Sequence, residues 1–401
     1  MYRIEDGNRR VAVGSTPIGE KMFDLTKCFV SRHYPDFEDR AGYMHSFAMS
    51  RNYVVLPVVP YLLDYCTLFS QVSMGHGAFF RTYMQAHEAR GLKFHVMRKS
   101  DGVFVKSFEM GAADNIFVTH QVNAFEDEEK KLLHVDMLTY KSADVYQTAY
   151  IESIMQEVFA KQKATIERFS ISLVDFTLVA RRPLSKPQPM EFPTINYDKY
   201  RQRDYQFTYL ITRPYLTRST IMKLNVKTGN VTHWGPEEGV FPSEAVFVPA
   251  PGATAEDDGV LLSGLLDANF QRGFILVLNA TTMEEITRAR APINTPFGLH
   301  NRFFSHAEMT SSAASEPTIA SPSYWPSFSS GNIDKQVSAG EDDDDDDDDD
   351  LNGASNDKGS SRKGPTQTHV PGVATAVIIF KISCLHVFSM LIGLFRHLVW
   401  P

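Results

Sequence analysis

The chain has 401 residues, 43% of them hydrophobic, enough for a sizeable core in one large domain or two ordinary ones. Its formal charge of −8 is carried entirely by residues 306–401, where 6 Lys and Arg face 14 Asp and Glu, while residues 1–305 hold 34 of each sign. A neutral body offers no basic footprint, which excludes nucleic acid as a partner.

Met1-Tyr-Arg-Ile-Glu-Asp opens the chain with charge and no apolar core, so no signal peptide is read and a cytoplasmic protein is expected. Cys28, Cys66 and Cys384 are too few and too widely spaced for a disulfide framework or a zinc knuckle; unpaired thiols are expected. Asn230-Val-Thr and Asn279-Ala-Thr fit the glycosylation sequon, read as coincidental without a secretory signal.

From residue 53 the body reads as strands at 53–59, 102–110, 116–125, 132–140, 169–181, 205–212, 220–226, 245–249, 259–266 and 273–278. Within one of them Ile221, Lys223 and Asn225 point one way and Met222, Leu224 and Val226 the other. A helical pattern is convincing only at 149–163. Strands at this spacing mean an all-β sandwich, barrel or propeller. Leu224-Asn-Val-Lys-Thr-Gly-Asn-Val-Thr and Leu276-Val-Leu-Asn-Ala-Thr-Thr-Met-Glu are both strand–turn–strand units, and their 52-residue separation favours propeller blades.

Beyond the strands, residues 306–369 are rich in Ser, Gly, Thr and Pro and enclose an unbroken acidic run at 341–350. Such a run repels itself and buries nothing, so a disordered linker is expected there. Residues 370–401 form a hydrophobic tail whose 23-residue stretch 373–395 is long enough to span a bilayer, though Lys381 and His386 interrupt it. A tail anchor and a segment foreign to the fold are the two readings of this tail.

The 13 histidines include no HExxH, and the chain has no serine elbow, phosphate loop or EF-hand. Singly, each histidine reads as structural or exposed. His45, His120 and His300 stand apart because each begins or ends a strand amid apolar and aromatic neighbours. Imidazoles delivered from different strands towards one axis would suit Fe(II), leaving positions open for O2.

At these same residues the chain resembles the carotenoid cleavage oxygenases. Tyr43-Met-His-Ser-Phe-Ala-Met-Ser-Arg-Asn-Tyr is similar to that family's "(Y/F)xHSFGMTxNY", with Ala48 for the usual Gly. His120-Gln-Val-Asn-Ala-Phe-Glu-Asp resembles "HxxNA(Y/W/F)E", and Glu191-Phe-Pro-Thr-Ile-Asn-Tyr-Asp-Lys-Tyr resembles "E(F/L)PxINYxxY". Phe241-Pro-Ser-Glu-Ala-Val-Phe-Val-Pro followed by Pro251-Gly-Ala-Thr-Ala-Glu-Asp-Asp-Gly-Val-Leu-Leu-Ser resembles "YPSEPxFVPxPGAxxEDDGVxLS", and Pro296-Phe-Gly-Leu-His-Asn-Arg-Phe the closing "PFxFHGxF". Five segments in the right order, from about residue 10 to 305, carry the resemblance.

The resemblance implies a seven-bladed β-propeller at 1–305, here incomplete, with Fe(II) on its axis held by four histidines. His45, His120 and His300 match three of these; the family's first ligand would fall before Met1. It further implies that Glu191 and Glu244 accept protons from the far nitrogens of His120 and His300, while the acid orienting His45 belongs to the absent portion. The implied reaction adds O2 across one alkene of a carotenoid or apocarotenoid, giving retinal-type aldehydes. Residues 54–69 sit where the family carries a membrane-docking patch, which implies a peripheral membrane protein; a strand followed by a buried helical turn is the alternative. Two other functions stay open: a truncated, inactive propeller that binds carotenoid or partners, and a retinyl-ester isomerohydrolase. With its leading blades missing, the chain is expected to be catalytically poor.

Overall fold

The computed structural model describes residues 2–5, 9–12, 42–64, 66–68, 80–87, 89–216, 218–235, 237–291 and 298–305. The predicted linker at 306–369 and tail at 370–401 lie outside the described residues, as do Cys28 and Cys384. Strands β1 (Tyr2–Glu5) and β2 (Arg9–Ala12) pair as a hairpin. Then come β3 (Ala48–Met49), β4 (Tyr53–Val58), β5 (Tyr61–Leu63), β6 (Met84–Ala86), β7 (Lys93–Arg98) and β8 (Phe104–Glu109). In this group β3, β4, β7 and β8 form one four-stranded antiparallel sheet, and β5 pairs with β6.

Three further four-stranded sheets follow as plain meanders. The first comprises β9 (Phe117–Asp127), β10 (Leu132–Tyr140), β11 (Ala164–Ser172) and β12 (Leu178–Pro183). The second comprises β13 (Met190–Thr194), β14 (Phe207–Thr212), β15 (Thr220–Asn225) and β16 (Val231–Trp234). The third comprises β17 (Val240–Pro249), β18 (Gly259–Asp267), β19 (Arg272–Asn279) and β20 (Glu285–Arg290). The leading strands pack from sheet to sheet, β3 against β9, β9 against β13 and β13 against β17. Those four strands are the inner edges of four blades, and the candidate site lies along them.

Middle strands are buried on both faces because a blade is sandwiched between neighbours. On β14 and β15, Leu210, Met222 and Leu224 join the core shared with the preceding sheets, while Tyr209, Ile211 and Ile221 join the core shared with β17–β20. The predicted alternation is therefore real, but both faces are interior. Lys223 lies on the second face and is itself buried; its ammonium donates to Asp257 Oδ2 (2.6 Å) and Thr281 O (3.0 Å) over the Phe207 ring. It ties one blade to the next. The two repeat units, 52 residues apart, occupy equivalent places, β15 turning into β16 and β19 turning into β20.

Three expectations are corrected. The strand read at 169–181 is two strands, β11 and β12, around a tight turn whose Phe176 sits at φ 56° and whose Val174 is 80% exposed. That turn contains no Gly or Pro and is partly apolar, so hydropathy read through it. The helix at 149–163 is broken into Ile151–Met155 and a 3-10 turn at Phe159–Lys161, with Glu157 left-handed at φ 59° between them. Cys66 is disulfide-bonded; separation along the chain does not report proximity in space.

The apolar run at 54–69 also resolves towards one of its readings. Val54, Val55, Leu56, Val59, Tyr61, Leu62 and Cys66 are all buried, so these side chains are spent on the core and not presented to a membrane surface. Among the described residues no helix is long and apolar enough to cross a membrane.

Candidate metal centre

Each of the three later blades breaks register on its inner strand. Thr119 and His120 together oppose Leu138, Phe192 and Pro193 together oppose Leu210, and Ser243 and Glu244 together oppose Gly264. Two residues facing one is a β-bulge, which bends the strand and re-aims side chains. His120 and Glu244 are thus bulge residues, and Glu191 immediately precedes the bulge on β13. Phe192 there takes φ 59°, a left-handed conformation uncommon for a non-glycine residue and costing of order 1–3 kcal/mol. Pro193 and Pro242 are compatible with these strands because both lie on inner-edge strands beside the breaks in register.

His45 comes from the segment just before β3 and is brought alongside β9 by its neighbour. Ser46 Oγ donates to Thr119 O (3.0 Å) and accepts from Gln121 N (3.1 Å), clipping the segment across the bulge. His300 follows β20, and Asn301 locks it to β17. The Asn301 backbone N–H donates to Glu244 Oε2 (2.7 Å), and its side-chain amide donates to Ser243 Oγ (2.8 Å) and Glu244 O (2.7 Å).

The three histidines offer nitrogens that all lie within 4.8 Å of one another. The His45 and His120 ring centroids are 4.8 Å apart at 86°, and those of His120 and His300 are 5.1 Å apart at 72°. Metal–nitrogen bonds are roughly 2.0–2.2 Å, so one cation can bridge the three after small side-chain adjustments. Phe192 walls one side, its ring 5.7 Å from His120 and 5.5 Å from His300.

The outer nitrogens are held differently. His120 Nδ1 donates to Glu191 Oε2 (2.7 Å), and His300 Nδ1 donates to Glu244 Oε1 (3.2 Å). A carboxylate only accepts, so each pairing keeps the proton on Nδ1 and leaves Nε2 with a bare lone pair. Burial pushes the Glu191 carboxyl up. The His120 partner and the hydrogen bonds from Tyr140 Oη (2.5 Å) and Thr119 Oγ1 (2.8 Å) together outweigh it and hold the group below the usual carboxylate range. The His300 pKa is raised by its Glu244 hydrogen bond against the pull of burial. For His45, exclusion of water from the ring and then the facing His120 imidazole lower the pKa to about 4, with Glu191 opposing and His300 adding to the fall. His45 is nonetheless the most exposed of the three.

The donor set fits a cation such as Fe(II). His120 Nε2 is buried and has no hydrogen-bond partner, an unsatisfied lone pair that a metal ion would satisfy. Neutral imidazoles suit iron, and equally zinc, copper or nickel.

The structure brings the five residues singled out from the sequence together, along with supports that sequence reasoning missed. Thr119, Tyr140, Ser46 and Asn301 carry hydrogen bonds that no spacing rule points to. Thr119, Ser46 and Asn301 lie beside the predicted ligands, which was the one available signal.

Inner-strand bulges that bring histidines and carboxylates to a common point between blades define a propeller of the carotenoid oxygenase type. Solved structures bear out that fold: cobalt-substituted Synechocystis ACO matches with a TM-score of 0.53 at 22% identity, covering 65% of this chain and 52% of that one. A Glu150Asp mutant of Synechocystis apocarotenoid oxygenase matches with a TM-score of 0.54 at 21% identity. The family model described as retinal pigment epithelial membrane protein matches residues 7–305. The chain belongs to that family, the carotenoid oxygenases.

Among curated relatives it is 31% identical over 318 residues to the carotenoid isomerooxygenase of Galleria mellonella, covering 75% of this chain and 60% of the relative. It is 28% identical over 302 residues to the mitochondrial carotenoid-cleaving dioxygenase of Homo sapiens, covering 66% and 51% respectively. The β,β-carotene 15,15′-dioxygenase of Gallus gallus is 28% identical over 292 residues, covering 65% and 54%. The chain thus spans between half and three-fifths of the length of these relatives.

Proposed function

We propose that this chain carries the metal-binding part of an oxygenase that uses Fe(II) and O2 to cleave a double bond of a carotenoid or apocarotenoid, giving retinal-type aldehydes. The observation that carries this reading is the buried, unpartnered His120 Nε2, which faces His45 and His300 while a buried carboxylate holds its other nitrogen.

In this reading His45, His120 and His300 hold the ion. When bound there, ferrous iron supplies the redox chemistry that lets O2 react with a carbon–carbon double bond. Glu191 and Glu244 keep the protons of His120 and His300 on Nδ1, so both inner nitrogens remain available as ligands. Phe192, packed on both rings, excludes water from that side and offers an apolar face of the kind a polyene requires. The domain division follows the same reading: residues 1–305 carry the propeller portion, and residues 306–369 and 370–401 a linker and tail outside it.

The test is anaerobic loading of the purified full chain with Fe(II), then exposure to β-carotene or an apocarotenal in detergent under 18O2. Aldehyde products carrying 18O support the proposal. A chain that binds Fe(II) stoichiometrically yet leaves every polyene intact would refute the catalytic reading and favour the binding-protein alternative.

A further inference from the structure

The two carboxylates behind the site are braced in different ways. Glu191 accepts from Thr119 and Tyr140, both on the preceding blade, as well as from His120. Among the described residues, the Glu244 carboxylate accepts only from His300 and from the backbone N–H of Asn301. The rotamer of the acid that holds His300 is therefore set by the residue next to His300.

Asn301 is in turn fixed by its side chain, whose Nδ2 donates to Ser243 Oγ (2.8 Å) and Glu244 O (2.7 Å). Both acceptors belong to the bulge on β17, where the break in register leaves Glu244 O outside the ladder. The Ser243 carbonyl is pinned from the other side by Ser263 Oγ of β18 (2.7 Å). His300 and Asn301 lie outside any strand, while Leu299 packs on the core shared by the last two blades. The amide thus ties a loop to the place on β17 where ladder bonds are missing.

The motif that this segment resembles, "PFxFHGxF", has Gly where this chain has Asn301. A glycine would still offer its backbone N–H to Glu244, but neither amide bond. The amide is kept although its Oδ1 is buried without a partner among the described residues, a penalty that glycine would not carry.

We infer that Asn301 is a positioning residue for His300: its amide fastens the loop to the β17 bulge, which seats the backbone N–H on Glu244 Oε2 and leaves Oε1 to aim the imidazole. The inference rests on the metal-binding reading above.

Two substitutions in the full chain test it. Asn301→Gly places the motif's own residue there and removes both amide bonds; Ser243→Ala removes one of them without touching the backbone of the loop. A titration of metal-stripped protein with Co(II), followed by its visible absorption, reads affinity and ligand geometry, and urea unfolding of the metal-free samples reads packing. Asn301→Gly is expected to raise the Co(II) dissociation constant about 10-fold, the low end of the range for groups that orient a metal-bound histidine, and to alter the visible bands. Ser243→Ala is expected to shift both in the same direction by less. Wild-type affinity and bands in Asn301→Gly overturn the assignment while the metal reading stands. A lowered urea midpoint with unchanged bands overturns it too, since a purely structural bond gives that result. If Asn301→Gly does not fold, Ser243→Ala decides by the same criteria. A wild-type chain that takes up no Co(II) overturns the metal reading, and the Asn301 role falls with it.

Discussion

Glu191→Gln is the most informative single change. The carboxylate is 3% exposed and accepts from His120 Nδ1, Thr119 Oγ1 and Tyr140 Oη at 2.7, 2.8 and 2.5 Å. Glutamine keeps the shape but turns one acceptor oxygen into an NH2 donor, and the new group must choose a side. Facing His120, it would force Nδ1 to accept, moving the ring proton to Nε2 and abolishing the inner lone pair. Facing the hydroxyls, it requires only that they turn, and Tyr140 already has Met190 O within 3.1 Å as another acceptor. The second orientation wins. His120 then keeps its tautomer but exchanges a charged acceptor for a neutral one, a loss of about 1–2 kcal/mol, or roughly 5–30-fold in cation affinity. Isothermal titration of the stripped protein with Co(II) at fixed neutral pH measures it. Wild-type affinity in Glu191→Gln would show that the carboxylate does not support the ligand, and the site argument would collapse.

Two further outcomes test the scaffold. Arg168 is buried and pairs with the fully buried Asp136 through two hydrogen bonds of 2.8 and 2.7 Å, so Arg168→Met strands the carboxylate with only the Tyr205 hydroxyl; a loss of about 3–5 kcal/mol is expected in urea unfolding, largely recovered when Asp136→Leu is added. Leu276 is fully buried in the core shared by the last two blades, so Leu276→Ala should cost about 2–5 kcal/mol; no loss would mean that β19 is not packed as described.

How much of this was legible in the sequence depends on range. Alternation along 220–226 announced a strand because side-chain direction is local, and five ordered segments announced the family and its histidines. Hydropathy could not say that both faces of β15 are interior, since Ile221 and Met222 differ only in which neighbouring blade they meet. The short strands β3, β13 and β16 escaped because two to five residues at a blade edge carry too little pattern.

The sequence by itself determined the β class and the family, and it singled out His45, His120, His300, Glu191 and Glu244 as candidates. Only the tertiary structure decided that residues 75 and 180 positions apart in the chain share one point. The physical reason is that convergence depends on where bulges re-aim inner strands against partners distant in sequence, and no local periodicity records a partner.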